Sequence, residues 1–135
     1  MSMMSYILSI RQSVRLFFVL FYVGCIAALS LLPPNDLPQI ELFRGADKVI
    51  HLMMYFIFSV LFCWTLKTEL NYSRIFFIVL ITVGWGILME YLQLDMHMGR
   101  SFSWYDALAN TIGVAFGILF YMLVSRKASI TPKSV

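Results

Sequence analysis

The sequence predicts an all-α, polytopic membrane protein with four transmembrane helices, short loops and both termini in the cytoplasm. Three observations predict it. First, the 135 residues are 61% hydrophobic and only 13% charged, with a mean hydropathy of +0.83, whereas soluble domains carry about 25% charged residues. Second, four apolar runs stand at residues 14–32, 49–66, 75–94 and 105–124. At 1.5 Å per residue each reaches across a hydrocarbon core of about 30 Å. Third, lysine and arginine are distributed unevenly between the flanks and loops, which sets orientation.

The first helix is preceded by a flank, residues 1–13, and begins among Arg11 and Arg15. Its apolar run exceeds a signal-peptide core, and Leu31-Leu32-Pro33-Pro34 offers no small-x-small cleavage site, so it reads as a retained span. Pro33-Pro34-Asn35-Asp36 then stops the helix and turns the chain. The short polar loop 67–74 makes the second and third helices an antiparallel hairpin. Loop 95–103 contains Gly99 as its turn, and the polar tail 125–135 is expected to lack fixed structure.

Arg11, Arg15, Lys67, Arg74, Arg126, Lys127 and Lys133 fall on one side of this topology, and Arg44, Lys48 and Arg100 on the other. The side with seven is therefore cytoplasmic, and loops one and three face outward. Asn71-Tyr72-Ser73 has the form of a glycosylation acceptor but lies in a cytoplasmic loop, where it is a chance match. Cys25 and Cys63 differ in depth by roughly 10 Å on the helical rise, too far for a disulfide. The basic residues are accounted for by topology, and no nucleic-acid partner is expected.

Glu90 is the most informative residue. It lies within an apolar run, where a carboxylate costs on the order of 3 kcal/mol or more to insert. Gln93 follows on the same helix face. In the expected topology Glu90 is about 7 Å below the outer boundary, and Asn110 is about 6 Å deeper than Asp106 at the mouth of the fourth helix. Asp47, Lys48 and His51 open the second helix at the same level, and Arg100 lies in the adjoining loop. Asp47, His51, Tyr55 and Ser59 recur every four residues on one stripe; Gly86, Glu90 and Gln93 form another. Asp106, Asn110, Gly113 and Gly117 form a third, with Gly113-x-x-x-Gly117 permitting close helix approach. These spacings predict a cleft open to the outer side and a bundle tight on the cytoplasmic side, whose half is nearly empty of polar groups.

Plainer roles compete with function at each position. Ser103-x-x-Asp106 has the form of a helix cap, Asn110 could join helices, and Tyr55, Trp104 and Tyr105 could serve packing or the interface. An ion pair of Glu90 with Arg100, supported by Gln93 and Asn110, could simply clamp the third and fourth helices.

Taken in order, Leu29-Ser30-Leu31-Leu32-Pro33, Asp47-Lys48-x-x-His51-x-x-x-Tyr55, Glu90-x-x-Gln93, Gly99-Arg100 and Asp106-x-x-x-Asn110-x-x-Gly113 resemble the VanZ-like family. These are small bacterial membrane proteins named after an accessory factor for resistance to the glycopeptide teicoplanin. The resemblance spans about residues 29–117; the one departure is the absence of a proline before Gly99-Arg100. It implies a multi-pass protein of the bacterial cytoplasmic membrane that works at the outer face, on cell-envelope material or on the binding of a glycopeptide to it, with a link to antibiotic resistance.

Three functions follow from the residues. The first is an envelope accessory factor that binds a membrane lipid or lipid-linked precursor through Asp47, Lys48, His51, Glu90, Gln93, Arg100, Asp106 and Asn110, with the cationic groups suited to phosphate or carboxylate. The second is an intramembrane enzyme using Glu90 or Asp106 as general acid or base, with His51 assisting. Metal-dependent hydrolysis through His51, Glu90 and Asp106 would fit that second function, but their spacing matches no zinc pattern, and no metal or cofactor is expected. The third, a transporter, would require ionisable groups in the cytoplasmic half and ranks last.

Overall fold

The computed structural model describes residues 6–7, 9–32, 43, 45–66, 70–96 and 102–130, the last four of these in backbone only. Four long helices run through it: α1 (Gln12–Leu31), α2 (Ala46–Leu66), α3 (Tyr72–Asp95) and α4 (Trp104–Ile130), with no strand among the described residues. All four contain a stretch long and apolar enough to cross a membrane, as the composition predicts.

Local chemistry sets the helix ends. Gly45 takes a φ of 91°, a left-handed conformation that glycine adopts without a Cβ penalty, and its carbonyl receives Lys48 N at 3.1 Å as α2 begins. Asn71 caps α3, its Oδ1 accepting from Arg74 N at 3.0 Å, so the glycosylation-like triplet has a structural use. Ser103 Oγ accepts from Asp106 N at 3.2 Å, which is the cap that Ser103-x-x-Asp106 predicts. The expectation of a tail without fixed structure from residue 125 is corrected, because α4 continues to Ile130. Ser125-Arg126-Lys127-Ala128 contains neither Gly nor Pro, and Arg, Lys and Ala are good helix formers. Cations in a final turn also suit the helix dipole.

The burial pattern is that of a bundle solvated by hydrocarbon. Phe17, Phe21, Phe76, Leu80 and Phe116 lie exposed, while Arg15, Ser59, Thr82, Glu90, Gln93 and Asn110 are buried. In water this arrangement would be unfavourable on both counts; in lipid, polar groups turn inward to find partners. Thr82 Oγ1 donates to Ile78 O at 2.7 Å and Ser59 Oγ to Phe56 O at 2.9 Å, so these hydroxyls are satisfied within their own helices.

Helix α2 packs most extensively against α4. The reason is Gly113 and Gly117. A Cβ on Gly113 would run into Leu52 O, and one on Gly117 would run into Ser59 Oγ and come within 2.5 Å of Phe56 O. The two backbones touch directly, as the small-x-x-x-small spacing predicts. Around that contact Ile26, Tyr55, Phe58, Cys63, Ile78 and Val114 form the apolar core. Cys25 and Cys63 are both unbridged.

Candidate functional site

The close α2–α4 contact brings the N-terminal ends of these two helices side by side, and α3 delivers its C-terminal half to the same level. Lys48 Nζ, on α2, lies 2.6 Å from Asp106 Oδ1 on α4 and 2.5 Å from Asp47 Oδ2. The lysine side chain is 38% exposed and that of Asp106 16%, so the ammonium forms a lid between the surface and what lies beneath.

One turn deeper, His51 Nδ1 and Asn110 Oδ1 are 3.1 Å apart. An amide oxygen only accepts, so Nδ1 is the donor in this pairing. Asn110 is 2% exposed, and its Nδ2 lies against Gly86 together with the Tyr55 ring, both within 3.1 Å of where a Cβ would stand. A side chain at position 86 would push these groups aside, so glycine there is what lets α3 approach.

Glu90, one turn after Gly86, is 1% exposed. Its Oε2 accepts a hydrogen bond from Ser103 N at 3.2 Å, which ties the end of α3 to the start of α4. Arg100, the expected partner of Glu90, lies outside the described residues, as do His97 and Gly99. One ligating atom from each of His51, Glu90 and Asp106 lies within 4.8 Å of the other two. Three residues 39 and 16 positions apart in sequence thus converge on one small volume, with an imidazole nitrogen and two carboxylates suited to holding a cation or moving a proton. Tyr55 Oη is buried and has no hydrogen-bond partner among the described residues.

Gln93 takes a different place. Its Nε2 donates to Ser30 O at 2.7 Å, so it fastens α3 to the last turn of α1, where helix carbonyls lack partners of their own. Glu90 and Gln93 share a face but serve different neighbours. Trp104 and Tyr105 lie exposed, in keeping with an interfacial belt.

At the opposite end of the bundle one expectation is overturned. The sequence presents Arg15 as a flanking topogenic charge and that half as nearly empty of polar groups, yet Arg15 is 0% exposed. Its Nη1 donates to Trp64 O at 2.6 Å, and its guanidinium lies 5.7 Å from the centroid of the Trp64 ring. Nε and Nη2 have no partner among the described residues. Trp64 Nε1 donates in turn to Ile7 O at 3.1 Å, which holds the preceding segment over this end. Helical phase could have signalled the burial: Arg15, Val19 and Ile26 fall on one stripe of α1, and all three are buried.

No curated protein matches the chain, and neither does any solved structure. A family model described as VanZ/LLP1 matches residues 3–125, nearly the whole length and all four helices. The segments that carry the resemblance in the sequence build the two junctions just described: Asp47, Lys48, His51, Glu90, Asp106 and Asn110 meet at one end, and Ser30 meets Gln93. The chain is a multi-pass membrane protein and belongs to the VanZ/LLP1 family.

Proposed function

We propose that the protein is a cell-envelope accessory factor at the outer face of the bacterial cytoplasmic membrane. It binds the anionic headgroup of a lipid-linked or amphiphilic molecule at the Lys48 end of the bundle. The observation that carries this reading is the gathering of Lys48, Asp106, His51, Asn110 and Glu90 from three helices within an otherwise lipid-solvated bundle. The lysine and arginine distribution supports an outward orientation for that end. Ionisable side chains held inside a membrane bundle mark binding or proton pathways.

Lys48, with Arg100 from the adjoining loop, supplies the charge complementary to phosphate or carboxylate. A wholly apolar groove of about 400 Å³ between α2 and α4 supports the hydrocarbon half of the ligand; it is lined by Leu52, Met53, Phe56, Phe116 and Phe120, among others. Leu52 is one helical turn below Lys48, so a headgroup at Lys48 leaves its tail beside this groove.

The test is native mass spectrometry of the purified protein with prenyl-phosphate and anionic phospholipids. Wild type should retain the prenyl phosphate through detergent exchange. Lys48→Gln should insert and fold yet retain at least tenfold less, since it removes the positive charge that pairs with the headgroup. Retention by Lys48→Gln equal to that of wild type would refute a charge-dependent headgroup site. In cells, the reading extends to glycopeptide resistance: expression should raise the teicoplanin concentration tolerated by a sensitive host, and Glu90→Gln should not.

One observation favours a second reading, an intramembrane enzyme. His51, Glu90 and Asp106 lie close enough to share a proton with a bound substrate. Accumulation of a cleaved lipid-linked product with wild type but not with Glu90→Gln would select this reading over simple binding.

A further inference from the structure

Two features of the cluster are unexplained by a headgroup held at Lys48. One is the mutual approach of three lone-pair donors beneath it; the other is the buried Tyr55 hydroxyl with no partner among the described residues. We propose that His51, Glu90 and Asp106 bind a single divalent cation of the zinc class. This deepens the proposed function and rests on that reading for its purpose, though not for the binding itself.

The donor set suits such an ion, since imidazole nitrogen and carboxylate oxygen are both zinc ligands at about 2.0–2.2 Å. Tetrahedral bonds of that length place donors roughly 3.4 Å apart, and the three atoms already lie within 4.8 Å of one another. Metal binding would draw these atoms together by the remaining distance. The imidazole is held as a metal ligand needs to be held. Its Nδ1 lies 3.1 Å from Asn110 Oδ1; with Nδ1 as the donor, Nε2 is the nitrogen that binds, the outer-shell arrangement typical of metal-bound histidine.

Tyr55 is the independent indication. It lies one turn below His51 on the same stripe of α2 and is 1% exposed, and its ring lies against Gly86 beside Asn110 Nδ2, one turn before Glu90. A buried hydroxyl left unpaired costs about 1–3 kcal/mol. Water or a headgroup oxygen in the fourth position of a three-ligand cation would give it a partner.

Lys48 explains how the site is stable without the ion. Its ammonium already sits 2.6 Å from Asp106 Oδ1, so a cation is present at the mouth of the cluster. When a metal takes Asp106, Lys48 retains Asp47 at 2.5 Å. Lysine is therefore a competitor for Asp106, and its removal should strengthen metal binding while weakening headgroup binding.

The experiment uses the full chain without a histidine tag, purified in detergent, stripped with EDTA and titrated with Zn²⁺. Elemental analysis should find one zinc per chain, and thermal unfolding should shift upward on binding. Zinc affinity should fall at least tenfold in His51→Ala and in Glu90→Gln, and rise in Lys48→Gln. Zinc held no better than by a detergent blank, or held equally by both loss variants, would overturn the proposal. Should those variants fail to fold, Co²⁺ bound to wild type decides: a tetrahedral visible spectrum supports the site, and an octahedral all-oxygen spectrum overturns it. Lipid retention is measured separately with and without EDTA. Prenyl-phosphate retention by a protein that binds no zinc would sink this inference and spare the headgroup reading. Zinc binding without any lipid retention would do the reverse.

Discussion

Replacing Gly117 with Ala tests the contact on which the whole site is built. The new methyl would stand 2.5 Å from Phe56 O and overlap Ser59 Oγ, whereas ordinary contact begins near 3.4 Å. The α2 backbone must therefore retreat by about 0.9 Å, because a carbonyl in a helix has no rotamer with which to yield. Overpacking of this kind costs about 1–3 kcal/mol, the upper end where backbone must move. Against it stands the intrinsic preference of helices for Ala over Gly, about 1 kcal/mol. A net loss of about 1–2 kcal/mol is expected from these two opposing effects, and Gly113→Ala should behave alike because its methyl meets Leu52 O.

Gly24→Ala and Gly84→Ala are the controls, since nothing lies within 4 Å of a Cβ at either position; they should match or exceed wild-type stability by up to about 1 kcal/mol. Unfolding in mixed micelles, followed by helical circular dichroism, reads all four variants. Separation of α4 from α2 also pulls Asn110 from His51, so the Gly117 variant should lose prenyl-phosphate retention in parallel. Equal unfolding midpoints for Gly117→Ala and Gly24→Ala would refute direct backbone contact between α2 and α4 as the basis of the bundle.

Other outcomes follow from the same geometry. Gln93→Leu removes the bond to Ser30 O at 2.7 Å and should cost about 1–2 kcal/mol, while leaving zinc and lipid binding unchanged; loss of either ligand would place Gln93 in the site after all. Arg15→Lys should destabilise by about 1–3 kcal/mol, since an ammonium cannot combine the bond to Trp64 O with stacking over its ring. Arg11→Lys, at an exposed position, should be silent in the same melt, and because both changes conserve charge neither should alter topology. Cysteines placed in loops one and three should react with a membrane-impermeant maleimide on intact cells, and a fusion after Val135 should report the cytoplasm; the opposite pattern would invert the proposed orientation.

Much of the fold was legible in the chain alone, because in lipid the rule is simple. A backbone that cannot hydrogen-bond to its solvent must form helices, so four apolar runs of sufficient length determined four helices. Periodicity of 3.6 residues placed Glu90 and Gly86 on one stripe and Asn110 and Gly113 on another, and these stripes do face inward. The sequence also determined that α2 and α4 could touch, since only glycine at positions 113 and 117 lets two backbones meet.

What periodicity leaves open is which neighbour each stripe meets and at what height. Helical phase gave Glu90 and Gln93 the same direction, but only packing sent one to Ser103 and the other to Ser30. Arg15 could be counted as a charge near a membrane surface, and only the approach of Trp64 from another helix turned it into a buried cation. The convergence of His51, Glu90 and Asp106 has no signature in their spacing, because each comes from a different helix and their separation depends on crossing angles and axial shifts that side-chain interlock decides. Local pattern fixes direction within a helix, whereas distance between helices is a property of the packed bundle.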